Sequence, residues 1–409
     1  MIPYMLEWGS LLLRWLHVVA AMAWIGASFF FMHLDASLKP SSDIPSGKGG
    51  ASWQVHGGGF YEMRKYLVAP EYMPEELTWH KWQAYTTWLS GFVLLAWIYY
   101  AQSNLYLINP DVMPLTPLQA SALGIGALAL GWLLYDQLCK SPLGKNENLL
   151  GILGLVVIVG ASFGFTQVFS GRGALIHVGA LMATWMAGNV FLIIIPNQRK
   201  VVASLMAGET PDPALGKQAK QRSTHNNYLT LPVVLLMMSS HYPVLYANSA
   251  VIPPIVFLIT ISGALIRHFY NIRHSDHAKS PWWAWAAVAM ALWFTFWVAM
   301  ASSPSGREQL GLTAAASVPA ATAHVAPPAN VVDIVTSRCA MCHAAEPVWD
   351  GVQIAPKAVF LDTPANIARQ ADAINMQAVL SRAMPPNNLT AMTEDERLAV
   401  ATWIRSKTK

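Results

Sequence analysis

The sequence predicts an all-α protein in two parts, a bundle of eight membrane-spanning helices followed by a small soluble domain. Of the 409 residues, 54% are hydrophobic and only 12% are charged, which excludes an ordinary soluble protein. All of the apolar stretches that are long enough to cross a membrane end before residue 302. We therefore expect a membrane domain at residues 1–301, a linker at 302–330 and a soluble domain at 331–409.

The expected spans are separated by short polar loops, and the sixth is the shortest. They cover roughly Leu11–Leu34, Tyr85–Gln102, Pro117–Tyr135, Leu149–Val168, Gly173–Ile195, Tyr228–Ser240, Val251–Phe269 and Trp282–Ala301. The linker is rich in Ala, Pro, Ser and Thr and has no apolar periodicity, so we expect it to be flexible.

Lysine and arginine lie almost entirely in the loops after the first, third, fifth and seventh spans. The opposite loops contain Arg172 alone. By the positive-inside rule the basic loops are cytoplasmic, so both termini are expected to be periplasmic in the inner membrane of a bacterium. The net charge of +4 reflects these loops and does not indicate nucleic acid binding.

The soluble part contains the motif Cys339-Ala340-Met341-Cys342-His343. This spacing is typical of covalent haem c attachment, in which both thiols form thioethers and the histidine binds the iron. Met384, which precedes two prolines, is the expected second axial ligand, with Met376 and Met392 as alternatives. A zinc site would need two further ligands, and the remaining cysteine is far away in the sequence.

Short helical patterns flank this motif, as in a small class I cytochrome c. One helix is expected at about Val331–Arg338 and another at about Glu394–Ser406. Thr393 and Glu396 are spaced as a capping box for the second helix. Pro356 is expected to offer its carbonyl oxygen to the other nitrogen of the haem-binding histidine.

Two histidines occupy matching positions in the first and fifth spans. The segments that begin at His17 and His177 align without a gap, which suggests two parallel four-helix halves. If the halves are related by a twofold axis, the two imidazoles could ligate a haem b, although hydrogen bonding between helices or contact with a substrate would also explain them. His241, near the end of the sixth span, is a further ligand candidate.

Polar side chains also gather at the expected cytoplasmic helix ends. They are Gln83, His225, Asn226, Asn227 and Tyr228. This rim is either a binding site or a set of solvated helix ends.

The first cytoplasmic loop contains a run of glycines between aromatic and branched residues. The segment from Ser52 to Tyr61 has the composition of a β-hairpin, with Gly57, Gly58 and Gly59 at its turn. We expect the hairpin to form a packed cap over the helix bundle.

Taken together, these segments resemble the bacterial membrane-bound urate oxidase (urate hydroxylase), which joins an eight-span membrane domain to a C-terminal cytochrome c. The resemblance covers essentially the whole chain. Its carriers are His17 with Trp24-Ile25-Gly26, His56-Gly57-Gly58-Gly59-Phe60-Tyr61, His225-Asn226-Asn227-Tyr228-Leu229-Thr230-Leu231-Pro232, Ser240-His241-Tyr242-Pro243, the Cys339–His343 motif and Met384-Pro385-Pro386.

The resemblance implies oxidation of urate to 5-hydroxyisourate, with electrons leaving through haem c toward a soluble periplasmic cytochrome c or a terminal oxidase. Urate is a flat anion, so its pocket should combine amide and imidazole groups with an aromatic face. Either the cytoplasmic rim or a deeper set of His17, His177, His241 and Asn189 would supply these groups. Two other functions remain open, an electron-transfer subunit between quinol and cytochrome c and a transporter fused to a cytochrome.

Overall fold

The computed structural model describes most of the chain, and its described part is mainly helical, as the sequence predicts. The described residues are 2–407 except for 45–48, 67–69, 71–72, 111, 247, 276–278, 303–306, 308–309, 313–325, 351, 353–354 and 357–358. Much of the predicted linker at 302–330 therefore lies outside the described residues.

Within the described residues, ten α-helices form the first part of the chain. They are α1 (Ile2–Ser37), α2 (Trp82–Leu95), α3 (Ser103–Tyr106), α4 (Pro117–Lys140), α5 (Glu147–Thr166), α6 (Gly171–Gly188), α7 (Ile195–Met206), α8 (Pro213–Met238), α9 (Ile252–Ser275) and α10 (Trp283–Ala301). The longest of them pack side by side, with α1 against α2, α6 against α8 and α9 against α10.

Six helical segments of the described chain are long and apolar enough to cross a membrane, as expected of a multi-pass membrane protein. They are Trp8–Ser37, Pro117–Lys140, Glu147–Thr166, Gly171–Met206, Ser249–Ser275 and Trp283–Ala301. The fourth of these is continuous because a π-helix, Asn189–Ile194, joins α6 to α7.

The second and sixth predicted spans are helical but fall outside this set of six. Helix α2 has only 14 residues before it continues as the π-helix Ala96–Tyr100. The first half of α8 carries charged residues, including Lys217, Lys220 and Arg222, and only its second half is apolar. The count of eight spans therefore stays a prediction.

Side-chain caps set the starts of three central helices. Thr116 and Gln119 form a capping box for α4, in which the Thr116 backbone N–H donates to Gln119 Oε1 at 2.9 Å. Asn146 caps α5 and Ser170 caps α6, each by accepting from a backbone N–H three residues ahead. Ser170 also donates to Tyr106 O at 2.9 Å, which ties the start of α6 to α3.

The predicted hairpin is confirmed and is the only strand pair of the described residues. Strands β1 (Gly49–His56) and β2 (Gly59–Tyr66) are antiparallel, and Gly57 and Gly58 both have positive φ at the turn. Its base is fixed to the end of α1 by the Lys65–Asp35 ion pair at 2.5 Å. The expected packing over the bundle is wrong, because Phe60 near the turn is 77% exposed.

The C-terminal part is a separate small helical domain, built from α11 (Ala329–Arg338), α12 (Pro364–Arg369), α13 (Ala371–Ile374) and α14 (Glu394–Lys407). Its buried core includes Val335, Ile367, Val400 and Trp403. Both predicted helices are confirmed, within two residues at each end. The predicted capping box is also present, with the Thr393 N–H donating to Glu396 at 2.7 Å.

A buried ion pair lies at the end of the bundle opposite the C-terminal domain. Arg222 Nη2 on α8 donates to Asp136 Oδ1 on α4 at 2.7 Å, and both side chains are less than a tenth exposed. Arg222 Nη1 also donates to Asn189 at 3.2 Å, while Lys140 binds the other oxygen of Asp136 at 2.5 Å. These contacts join α4, α8 and the π-helix after α6.

Replacing Asp136 with Leu should destabilise the protein by about 3–5 kcal/mol, because it leaves the Arg222 guanidinium buried without its carboxylate. Thermal unfolding of the detergent-solubilised protein measures this effect. Lys140→Ala, which removes only the exposed partner, should cost less than about 1 kcal/mol. The Asp136→Leu/Arg222→Leu double variant should recover part of the loss, and a double variant less stable than Asp136→Leu would contradict this account.

Candidate functional site

A cavity of about 1040 Å³ lies between the helix bundle and the C-terminal domain. It is larger than an ordinary single-ligand pocket, which measures about 300–1,000 Å³. Asn387 Nδ2 closes one side of the junction by donating to the backbone oxygens of Leu105 and Ile108, at 3.1 and 3.2 Å. Both parts of the chain therefore contribute to one continuous site.

The residues predicted to hold haem c line the part of the cavity formed by the C-terminal domain. Cys339, Cys342, His343 and Met384 all face it. The His343 ring is oriented by a hydrogen bond from Nδ1 to the backbone oxygen of Val359 at 3.0 Å, which leaves Nε2 for a ligand.

The expectation that Pro356 would supply this carbonyl oxygen is wrong. The Leu361 backbone N–H donates to the backbone oxygen of His343 at 2.6 Å. This bond aligns the segment after Pro356 with the histidine, so that the carbonyl group of Val359 lies opposite the ring.

Two hydrogen bonds hold the loop that carries Met384. Its backbone N–H donates to Gln377 O at 2.9 Å, and its backbone oxygen accepts from Arg397 Nη1 at 2.9 Å. Met392 also lines the cavity, but Met376 does not and is 52% exposed. Met384 and Met392 thus remain as thioether candidates.

The chemistry of the C-terminal part of the cavity fits a haem. Arg382 lines the cavity and pairs with Glu394 through Nη2, but its buried Nε has no partner, and a propionate would satisfy that atom. Burial raises the pKa of the Cys339 thiol to about 12. The described residues contain no group of three or more His, Cys, Asp or Glu side chains suited to a metal ion.

On the membrane side, His17 lines the same cavity from α1. Its Nδ1 lies 3.0 Å from the backbone oxygen of Thr87 and 3.1 Å from Ser90 Oγ, both on α2. Its Nε2 lies 3.1 Å from Met237 Sδ on α8. The ring is therefore held in place at Nδ1, and its Nε2 points at the thioether of Met237.

His177 is not brought together with His17. It is fully buried, its Nδ1 lies 2.8 Å from the backbone oxygen of Gly173 and its Nε2 lies 3.1 Å from Tyr100 Oη. Phe165 and Phe169 pack around the ring. These contacts fit the alternative in which His177 forms a hydrogen bond to a neighbouring helix. His241, in contrast, is exposed and lines the cavity.

The polar rim predicted at the opposite helix ends does not line this cavity. Most of its members bind neighbouring helices through the following contacts: His225 Nδ1 to Tyr135 Oη at 2.7 Å, Asn189 to Asn226 at 2.8 Å, Asn271 to Asn227 at 3.0 Å and Tyr228 Oη to His268 Nδ1 at 3.3 Å. Gln83 lies apart from these contacts, in the first turn of α2.

Arg172 is one of the cavity residues that the site prediction missed, with Arg14, Met237 and Arg382. Its guanidinium carbon lies 4.4 Å from the centre of the Tyr106 ring, and its Nε donates to Tyr99 Oη at 3.2 Å. No ion pair of the described residues includes it. The sequence did contain a signal for this residue, because Arg172 is the only basic residue in the loops opposite the cytoplasmic ones.

The six long apolar helices of the described residues could cross a membrane, which is consistent with a multi-pass membrane protein, and the large cavity lies between the bundle and the C-terminal domain. The family model described as "Urate oxidase N-terminal" matches residues 3–299. The chain therefore belongs to this family, whose description relates it to an oxidoreductase of urate. Comparisons with curated proteins and with solved structures give no match.

Beside the cavity, Arg338 Nη2 on α11 donates to Glu396 Oε1 on α14 at 2.9 Å. This hydrogen bond lowers the pKa of the Glu396 carboxyl below its ordinary 4.5. A lowered pKa in the folded state gives stability that is present above the unfolded value and is lost as the pH falls through the folded value.

We therefore expect Glu396→Gln to destabilise the C-terminal domain most at neutral pH, and the difference from the native protein to shrink as the pH falls below about 4.5. Limited proteolysis of 329–407 in the full chain at rising temperature measures this. Asp395 lies on the same turn but outside this ion pair, so the stability of Asp395→Asn should differ little from that of the native protein at every pH. A Glu396→Gln effect that grows in acid would contradict the assignment.

Proposed function

We propose that this protein oxidises urate to 5-hydroxyisourate and delivers the electrons to a c-type haem held by its C-terminal domain. Urate and one water molecule give 5-hydroxyisourate, two protons and two electrons, so the added oxygen comes from water. The electrons then leave for a soluble cytochrome c or a terminal oxidase. The C-terminal domain would be periplasmic, as the distribution of Lys and Arg favours.

Two independent observations support this proposal. The family match concerns residues 3–299 and relates the membrane part to urate oxidation. The C-x-x-C-H motif lies beyond that match, yet its cysteines and histidine line the same cavity as the membrane helices. The observation that carries the proposal is this single cavity, because it brings a urate-related bundle and a haem attachment motif together.

A haem supplies an acceptor that takes electrons one at a time. Cys339 and Cys342 would hold it through thioethers, and His343 and Met384 would supply ligands to its iron. The Val359 carbonyl oxygen keeps the proton of His343 on Nδ1, so that Nε2 has its lone pair for the iron. Arg382 would bind a propionate through its free Nε.

Urate would bind at the mouth of the membrane half, where Arg172 meets the C-terminal domain. The guanidinium has no carboxylate partner within the described ion pairs, so it is suited to an anion. Tyr106 lies beneath it as an aromatic face, and Ser240 and His241 add polar groups to the same lining. This set offers a guanidinium, a hydroxyl, an imidazole and an aromatic ring, which together suit a flat purine anion.

The rim of His225, Asn226, Asn227, Tyr228 and Gln83 is the weaker candidate for the substrate site. It lies at the far end of the bundle, and four of its five side chains hydrogen-bond to neighbouring helices. A substrate there would displace those bonds and would be separated from the haem motif by the length of the helices.

The test is anaerobic titration of the oxidised purified protein with urate, followed by haem c absorbance. Urate should reduce the haem, with 5-hydroxyisourate as the product. In Arg172→Gln the urate concentration for half-maximal rate should rise about tenfold or more, because a charged hydrogen bond contributes about 1.5–3 kcal/mol. Arg199→Gln, at the opposite end of the bundle, is the matched control and should behave as the native protein.

No reduction of an intact haem c by urate would reject the proposed activity. Reduction by a quinol but not by urate would favour an electron-transfer subunit instead. If urate reduces the haem normally in Arg172→Gln, the activity stands and the assignment of the substrate site is wrong.

A further inference from the structure

We propose that the membrane half of the cavity holds a second, non-covalent haem, with His17 of α1 and Met237 of α8 as its axial ligands. The inference rests on the geometry around His17, on the shape of the slot beside it and on the arginine at its mouth. The proposal keeps His17 as a haem ligand, as the sequence predicts. It replaces the predicted ligand His177, because both ring nitrogens of His177 already lie within hydrogen-bond distance of Gly173 and Tyr100.

His17 has the hydrogen bonding of a metal-binding histidine. Its Nδ1 lies 3.0 Å from the backbone oxygen of Thr87, and such a bond fixes the tautomer that leaves Nε2 as an electron-pair donor. His343 in the haem c motif has the same arrangement with the backbone oxygen of Val359. Both histidines face one cavity, and each keeps Nε2 clear of backbone partners.

Met237 lies where it could supply the second ligand of the iron. Its sulfur lies 3.1 Å from His17 Nε2, across the gap between α8 and α1. Histidine with methionine is an established axial pair for haem iron. The methionine side chain has three rotatable bonds, so its sulfur can withdraw from the ring and leave room for an iron between the two atoms.

The cavity beside His17 is apolar, and both large side chains, such as Trp24 and Phe92, and small ones line it. Gly91 packs against the His17 ring, because a Cβ there would lie 2.7 Å from its Cε1 atom, and so it sets the position of the imidazole. Gly179, Ala180 and Ala183 line the opposite wall on α6. Beyond Arg172, the cavity follows α6 from Ile176 to Thr184, about 12 Å along the helix, which leaves room for a porphyrin held on edge below the urate position.

Arg14 lies at the mouth of this slot. It is three residues before His17 on α1, hence on the same face and one turn closer to the C-terminal domain. No ion pair of the described residues includes it. It would bind the propionates, as Arg382 would for haem c, and the second haem would then face the first across the junction of the two domains.

Pyridine haemochrome spectra test the proposal, because they count b-type and c-type haem separately and need no urate. The purified native protein should contain about one b-type haem for each c-type haem. His17→Gly should retain the c-type haem and lose the b-type haem, and growth with added imidazole should restore it. His177→Gln is the matched control for a buried histidine and should keep both.

Met237 is tested by a redox titration of the b-type haem. Met237→His should keep the haem and lower its midpoint potential, because a thioether ligand raises the potential relative to a second imidazole. An unchanged potential would reject Met237 and leave His241 as the alternative ligand.

Native protein with only c-type haem, from a host that makes both types, would overturn the proposal. So would a His17→Gly variant that retains the b-type haem. If the native protein lacks b-type haem and His17→Gly instead raises the urate concentration needed for haem c reduction, the slot is a substrate site. Because haem content is measured without urate, these outcomes do not depend on the proposed oxidation.

Discussion

The contact that seats the C-terminal domain on the helix bundle is the constraint on which the proposed electron path depends. Asn387 donates to the backbone oxygen of Leu105, within the short helix α3, and to that of Ile108, just after it. Without this seat, the haem-binding motif and His17 would line two separate surfaces. With it they face one cavity, in which the proposed substrate, the proposed membrane haem and the proposed covalent haem would lie close to one another.

The charged groups of the bundle divide into two sets with different physical roles. At the end far from the C-terminal domain, Asp136 and Arg222 satisfy one another and join three helices, which is a structural role. At the cavity, Arg14 and Arg172 lack carboxylate partners within the described ion pairs, and the Nε of Arg382 lacks any partner. Arg382 is paired with Glu394 through its other nitrogen, whereas Arg14 and Arg172 keep their whole charge for an anionic ligand, and both urate and haem propionates meet that requirement.

Local sequence patterns predicted the features that depend on neighbouring residues. The capping box of Thr393 and Glu396, the hairpin turn at Gly57 and Gly58 and the limits of α11 and α14 all follow from spacing within a few residues. The contact between His17 and Met237 could not be predicted in this way, because Met237 lies 220 residues away and only helix packing brings the two together. The pairing of His17 with His177 relied on an assumed twofold symmetry, and their surroundings differ, since Thr87 on α2 orients one ring and Gly173 on its own helix orients the other.

A cross-link between the two domains tests the docked arrangement most directly. Cysteines at Leu105 and Asn387 would fasten the C-terminal domain to the bundle, and single-turnover reduction of haem c by urate would then be compared before and after oxidation of the pair. The account predicts that the linked protein accepts electrons at least as fast as the unlinked one, while transfer to a soluble acceptor is free to change. Loss of urate-dependent reduction on linking, restored by a thiol reductant, would show that electrons arrive in a different arrangement and would contradict the account.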